Sequence, residues 1–277
     1  MRRSILITGC SSGIGFDSAL KFQQRGWQVI ASCRNAEDAK FLKNTYGLDI
    51  VCIDYEKPAT IENGFKEALA LTEGRLDVLF NNGAYAILAA VEDVPTDALR
   101  AIFEANFFGW HTLTRLALPV MFAQKSGRII QNSSVLGFAA MRFRGAYVAS
   151  KFALEGLTDT LRLELDGSGV HAILIEPGPI RTKIRENAFL QFNKWINWQE
   201  ARQKSTYQNK LIPRLSMENP GKDLFELPAA SVSEAVWKAS TARKPRARYR
   251  VTWATTLMMF TKRLTPTWLA DNISKRH

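Results

Sequence analysis

The sequence predicts an α/β fold: a single doubly wound parallel sheet of about seven strands with helices on both faces. Three observations carry this. Short apolar runs of strand length alternate with longer amphipathic stretches of helical length. A glycine-rich turn joins the first such run to the first such stretch. No internal repeat and no low-complexity linker divides the 277 residues, and one sheet of this kind can use them all as a single domain.

Taken in order, Ser4–Thr8 is the first strand expected, followed by a helix over Phe16–Arg25 with Ala19, Leu20 and Phe22 facing inward. Gln28–Cys33, Asp49–Ile53 and Leu76–Asn81 are the next apolar strands, with a helix over Pro58–Thr72. Helices over Thr96–Arg100 and Ala105–Gln124 precede a strand at Gly127–Asn132. A long helix, Tyr147–Leu165, leads to a strand at Val170–Glu176, and a last pair comprises Ser231–Ala239 and Tyr249–Thr252. Right-handed crossovers would put the helices on both faces and a ligand at the carboxyl ends of the strands. The segment Lys183–Pro228 breaks the alternation and is rich in Asn, Gln and aromatics (Phe189, Phe192, Trp195, Trp198, Tyr207, Phe225).

Composition narrows the class. With 46% hydrophobic residues the chain can bury a substantial core. The three cysteines (Cys10, Cys33, Cys52) show no paired metal spacing, and an odd number argues against a disulfide framework; they read as small buried hydrophobes in a reducing cytoplasm. His111, His171 and His277 are too scattered for a metal site. The apolar run at Ile5–Ile7 is too short for a signal sequence, and no stretch approaches the ~18 apolar residues of a transmembrane helix. Net charge is +11, and +8 of it falls in residues 243–277, where nine Lys or Arg face one acid, Asp271. This segment is either a solvated basic surface or a peripheral contact with anionic lipid, since Trp253, Leu257, Met258, Met259, Phe260, Leu264 and Trp268 are interleaved with the charge. Those apolar residues suit a cleft wall or a subunit contact equally well. No nucleic-acid-binding motif is present.

Two patterns point to chemistry. In Ile5-Leu-Ile-Thr-Gly-Cys-Ser-Ser-Gly-Ile-Gly15 the glycines at 9, 13 and 15 sit between strand and helix. Gly9 permits a tight bend, Gly13 lets backbone approach a ligand, and Gly15 lets helix and strand pack closely. The helix N-terminus then offers N–H groups to a pyrophosphate. In Ala146-Tyr-Val-Ala-Ser-Lys151, Tyr147 and Lys151 are four residues apart and share a helix face. A cation beside a phenol favours phenolate and pulls its pKa down from ~10, which makes a proton donor for neutral pH. The plain readings are an ordinary glycine turn and a solvated helix pair.

Together these residues resemble the short-chain dehydrogenase/reductase family, over roughly residues 3 to 182. Thr8-Gly-Cys-Ser-Ser-Gly-Ile-Gly15 is similar to the family's coenzyme loop, with Gly9, Ser11, Ser12, Gly13, Ile14 and Gly15 as its contacts. Asn81-Asn-Gly-Ala84 stands where the family has Asn-Asn-Ala-Gly, its last two residues exchanged, and supplies Asn81 and Gly83. Asn106 falls at the family's catalytic-site Asn, and Ser134 lies thirteen residues before Tyr147, as its catalytic Ser should. Pro177-Gly-Pro-Ile-Arg-Thr182 matches the segment that closes over the nicotinamide, which implies coenzyme contacts from Pro177, Gly178, Ile180 and Thr182.

The resemblance implies a Rossmann-like domain in which Tyr147 is general acid for reduction and base for oxidation. Lys151 would lower its pKa and hold the nicotinamide ribose, and Ser134 would bind the substrate oxygen, with Ser133 a weaker candidate. Asn106 would hold a water in a proton relay to Lys151, or act as a structural amide that mends a helix irregularity. Glu155 and Glu164 lie past the reactive end of the same helix, and neither is paired in a hydrolytic arrangement. Where the family places an acid for the ribose 2′-hydroxyl, this chain has Cys33 and then Arg34, a set suited to the 2′-phosphate of NADP. Arg34 stacking on adenine, with NAD as coenzyme, is the alternative. Asp54 and Tyr55 would lie over the adenine edge, unless Asp54 merely caps the following turn. By position Lys183–Pro228 is a substrate-binding lid. The loop and the Tyr-to-Gly156 run look nearest to the steroid- and retinol-handling and bacterial aldehyde reductase branch, which implies apolar carbonyl or alcohol substrates and a homodimer or homotetramer. An acyl-carrier ketoreductase and a non-catalytic NADP sensor are the alternative functions.

Overall fold

The computed structural model describes residues 2–216, 225–269 and 271, with only the backbone of Arg263. Strand β1 (Ser4–Ile7) is buried throughout, as a central parallel strand must be when helices cover both faces. The first half continues through α1 (Gly13–Gln24), β2 (Gln28–Cys33), α2 (Ala36–Tyr46), β3 (Asp49–Cys52), α3 (Pro58–Leu71) and β4 (Val78–Asn81). Next come α4 (Thr96–Phe103), α5 (Gly109–Gln124), β5 (Gly127–Asn132), α6 (Gly145–Glu164) and β6 (Val170–Glu176). The remainder comprises β7 (Ile180–Arg181), α7 (Ile184–Trp195), α8 (Lys204–Thr206), α9 (Ile212–Leu215), β8 (Leu227–Pro228), α10 (Ala229–Thr241), β9 (Arg248–Arg250) and α11 (Trp253–Leu264).

Seven parallel strands form one sheet in the order β3-β2-β1-β4-β5-β6-β9. The direction of winding reverses between β1 and β4, and a crevice opens at the carboxyl ends there. One core lies under α1 and α10, built on Ile5, Ile7, Phe22, Trp27 and Val236. The other lies under α3, α5 and α6, around Leu6, Ile61, Trp110, Leu113 and Leu154. This doubly wound, Rossmann-like sheet is the predicted architecture.

The departures are local. Helix α2 was not expected, because its sequence is polar and buries only Leu42 fully. Its ends are marked, though: the Asn35 side chain accepts the Asp38 N–H, and Gly47 closes it at φ 64°. Helix α1 starts at Gly13, so Gly13 and Gly15 belong to its first turn. The last strand is Arg248–Arg250, earlier than Tyr249–Thr252. Between α4 and α5 the helix widens into a π-turn over Glu104–Phe108, with Asn106 inside it. Cys10 and Cys33 are buried, but Cys52 is exposed because β3 is an edge strand.

The lid is largely helical, and β7 pairs with β8 to close its base. Phe192 and Tyr207 are wholly buried in a third cluster with Ile87, Ile102 and Leu215, and the Tyr207 hydroxyl donates to Asp93. Residues 217–224 of the lid, and the C-terminal residues that include Lys275, Arg276 and His277, lie outside the described set.

Candidate active site

A cleft of about 420 Å³ occupies the crevice between β1 and β4. Its floor at one end is the turn after β1. Gly9 and Gly13 have φ of +68° and +61°, where a side chain is strained. A Cβ at Gly9 would stand 2.6 Å from Gly83 Cα, and one at Gly15 would collide with the Gly9 carbonyl. Ser12 is the N-cap of α1 and makes no side-chain cap, so the first-turn N–H groups stay available to a ligand. Ser11, Ser12, Gly13 and Ile14 line the cleft, whereas Gly15 lies beneath and lets the helix close on the turn. A dinucleotide pyrophosphate fits this cradle, which a Cβ would fill.

Cys33, Arg34, Asp54 and Tyr55 form the adjoining wall. Burial pushes the Cys33 thiol up to about 12, so it stays neutral. The Asp38 carboxylate, whose charge adds to that shift, accepts from the Asn35 amide at 3.0 Å. Asp54 both lines the wall and caps its turn, its Oδ1 accepting the Glu56 N–H at 3.2 Å. Tyr55 also lines the wall, and its hydroxyl lies in the core, 2.8 Å from Thr8 Oγ1 and from Asn81 Oδ1.

Asn81 does not reach the cleft. It ends β4, is fully buried, and donates to Gln131 Oε1 at 2.9 Å and Thr114 Oγ1 at 3.2 Å. Side chains alternate along a strand, so the next residue, Asn82, faces the cleft instead. The Asn82 amide donates to the Thr8 carbonyl at 2.9 Å and accepts from Asn132 at 2.8 Å, which fastens β4 to β1 and β5.

At the other end Ser134, Tyr147 and Lys151 line one wall, the first from the turn after β5 and the others from α6. Helix α6 brings the pair to one face, and the Ser134 hydroxyl is near enough to that of Tyr147 to favour its phenolate. Lys151 is buried and donates to the Asn132 carbonyl at 2.7 Å. Its Nζ lies 4.3 Å from the Trp110 ring centroid and 5.6 Å from that of Tyr147. Burial dominates both titrations: the phenol is pushed up to about 12 against the pull of Ser134, and the ammonium down to about 7 against the Glu155 charge. The lysine was expected to pull the phenol down; in the folded chain burial raises it, and the influence that lowers it comes from Ser134.

Asn106 stands behind the wall. Its amide accepts from Tyr85 N at 3.2 Å and donates to the Tyr85 carbonyl at 2.9 Å and to Ser150 Oγ at 3.3 Å. Ser150 in turn donates to the Tyr147 carbonyl at 2.8 Å, so Asn106 ties the π-turn to the helix of Tyr147. The structural-amide reading thus has direct support.

Glu155 is closer to the chemistry than its position suggested. It is buried one turn after Lys151 and pairs with Arg248 at 3.1 Å. Arg248 also grips Asp159 at 2.7 Å and Glu176 at 2.8 Å, and Arg250 grips Glu176 at 3.0 Å. Two β9 arginines therefore hold α6 against the end of β6, directly before Pro177. Glu164 is exposed and takes no part. The i+4 spacing of Glu155 from Lys151 was the available signal; no local pattern announces Trp110, Asn82 or Arg248.

Pro177, Gly178, Ile180 and Thr182 cross the cleft. Thr252 and Thr255 pack on Gly178, and Thr182 covers Gly13 at 3.2 Å from a Cβ built there. From the lid, Ile184, Ala188 and Leu190 line the substrate end, with Leu88, Leu136 and Met141 opposite. The lid's aromatic residues do not line it; Phe189, Phe192, Trp195, Trp198 and Tyr207 join the third cluster, and Phe225 meets Trp253 instead.

The family model for short chain dehydrogenase matches residues 3–192. The chain belongs to the short-chain dehydrogenase/reductase family. It is thereby an oxidoreductase of the kind that acts between C–OH and C=O groups. It is 39% identical over 274 residues to an uncharacterized oxidoreductase, YbbO, of Escherichia coli K12, covering 99% of this chain and 94% of that one. It is 33% identical over 256 residues to an NADPH-dependent 3-dehydrocapnine reductase of Ornithobacterium rhinotracheale, covering 90% and 88%. Human retinol dehydrogenase 8 is 31% identical over 198 residues, 68% of this chain and 62% of that one. A short-chain dehydrogenase structure from Streptomyces avermitilis superposes with TM-score 0.76 at 27% identity, over 92% and 90% of the chains.

Proposed function

We propose that the protein is a cytoplasmic NADP-dependent reductase of apolar aldehydes or ketones, with the matching alcohols as substrates in reverse. The observation that carries this reading is the convergence of Ser134, Tyr147 and Lys151 on one cleft that ends in a glycine cradle and Arg34. Bound nicotinamide would supply the hydride. Tyr147 delivers its proton to the carbonyl oxygen, and Ser134 donates a hydrogen bond to the same oxygen as charge develops. Burial keeps the phenol protonated, and Lys151 as a cation stabilises the phenolate left behind. Lys151 also holds the ribose hydroxyls, while its carbonyl anchor on Asn132 and the Trp110 ring fix its position.

Cys33, neutral, and Arg34, exposed at the rim, favour a 2′-phosphate, and the NADPH-dependent relative supports the same preference. The lining of Leu88, Leu136, Met141, Ile184 and Leu190 favours an apolar carbonyl compound. Exposed Phe108, Phe122, Phe152 and Leu163 along α5, α6 and the π-turn support assembly into a dimer or tetramer. The test is oxidation of NADPH and of NADH across medium-chain aldehydes, retinal and steroid ketones. Turnover of one of these with NADPH preferred is expected. Turnover with NADH alone overturns the coenzyme assignment, and silence despite tight coenzyme binding overturns the free-carbonyl reading.

A further inference from the structure

Helix α11 is built inside out. Trp253, Leu257, Phe260 and Leu264 recur at i, i+4, i+7 and i+11, the spacing of a single helical face. That face points to solvent, with the four residues between 53% and 80% exposed, and Trp268 beyond the helix is 66% exposed. The face turned to the protein carries Thr255 and Met259, and its N-cap is Thr252. Helix burial in a soluble protein ordinarily runs the other way, so this apolar stripe has no partner within the chain's described residues. Phe225 meets Trp253 at 4.3 Å between ring centroids and extends the stripe toward the lid.

Charge chooses the occupant. Residues 243–277 carry +8, and Arg243, Lys244, Arg246 and Lys262 are exposed, while Arg248 and Arg250 are spent on internal acids. Two copies of such a face would repel each other. A surface of anionic headgroups would attract it, and tryptophans at both ends of an apolar stripe suit the membrane–water boundary. No helix among the described residues is long and apolar enough to cross a membrane, so α11 can lie on a bilayer but not span it.

We infer that α11 is an interfacial helix that docks the protein on an anionic lipid surface, with Trp253, Leu257, Phe260 and Leu264 entering the headgroup boundary. The helix begins where Thr252 and Thr255 pack on Gly178 of the cleft wall. Docking therefore brings the cleft beside the phase into which apolar carbonyl compounds partition. The binding itself does not depend on the identity of the substrate.

Vesicle co-sedimentation of the full chain tests this without any turnover. Unilamellar vesicles of phosphatidylcholine mixed with phosphatidylglycerol are compared with pure phosphatidylcholine, and tryptophan emission is followed in parallel. Expected are pelleting with the mixed vesicles, a blue shift of emission, and weakening by salt. Leu257→Gln/Phe260→Gln/Leu264→Gln should cut the partition coefficient by about tenfold or more, with carbonyl reduction in solution unchanged. The substitutions are on the surface, and an unaltered melting temperature shows that the variant is folded. The inference is overturned if wild type stays in the supernatant, or if the triple variant pellets as well as wild type. Equally, it falls if the stripe proves to be a subunit contact, seen as an oligomer that the triple variant dissolves while vesicles bind neither protein.

Discussion

Tyr147 and Lys151 each bear a cost of burial that opposes the charge its chemistry needs, and the residues around them offset that cost. Tyr147→Phe removes the hydroxyl on which Ser134 acts in the cleft wall shared with Lys151. Turnover should fall by roughly 10²–10⁴-fold while coenzyme affinity, read by fluorescence titration, stays near wild type. Lys151 titrates at about 7 because burial disfavours its ammonium, and Glu155 resists that shift. In the proposed reaction the charged form serves both the ribose and the phenolate, which assigns activity to the low-pH side. The kcat/KM for NADPH, which reports groups of the free enzyme, should fall as pH rises through about 7. In Glu155→Gln an anion is lost, the ammonium is favoured less, and the midpoint should move lower. Arg34→Ala should raise the KM for NADPH about tenfold or more with little effect on NADH, as expected for loss of a charge-assisted phosphate contact. Equal effects on both coenzymes would instead mark Arg34 as a stacking residue.

At the scale of elements, the arginines of β9 decide how α6 sits. Arg248 joins Glu155 and Asp159 on α6 to Glu176 on β6, and burial pushes Glu176 up to about 7 even with two arginines beside it. Arg248→Met leaves buried carboxyls short of a cation, at a cost of about 3–5 kcal/mol. The loss has a sign in pH: orphaned carboxylates can protonate in mild acid but not at alkaline pH. The drop in melting temperature should therefore be larger at pH 8 than at pH 5. A pH-independent drop would mean that Arg248 contributes packing alone. The same element logic explains Asn106, whose amide pairs with Tyr85 across the π-turn while reaching Ser150 on α6.

The whole molecule is knit from both ends of the chain. Ser18 on α1 meets Ser233 on α10 at 3.1 Å, Phe22 and Trp27 stack edge-on with Trp237, and Arg128 on β5 donates to the Ser240 and Ala242 carbonyls. A chain cut after Thr182 keeps the coenzyme loop and Tyr147 but loses α10, β9 and all these partners. It should lack a cooperative thermal transition, while urea unfolding of the full chain should give one transition, coincident by near- and far-UV circular dichroism. Separate transitions would show that the segment after residue 182 folds on its own.

Much of this was legible in sequence because it depends on local rules. Strand and helix periods announced the sheet, and glycine spacing announced the cradle. The four-residue step from Tyr147 to Lys151 placed both on one face of a helix. Helix α2 escaped because it is polar and nearly unburied, and its signs are caps alone. Asn81 was placed on the wrong side because an asparagine pair does not say which member faces the cleft until the strand's last residue is known. The lid aromatics suggested a substrate wall, yet in the folded chain Phe192 and Tyr207 pack against Ile87 and Ile102. Thus the sequence by itself determined the fold class, the glycine turn between β1 and α1 and the shared helix face of Tyr147 and Lys151, since each follows from spacing along a strand or helix. Only the tertiary structure decided the titration of Tyr147 and Lys151, the grip of Arg248 on α6 and the outward turn of α11. Burial and ion pairing depend on which distant elements meet, and that is set by packing, not by neighbours in sequence.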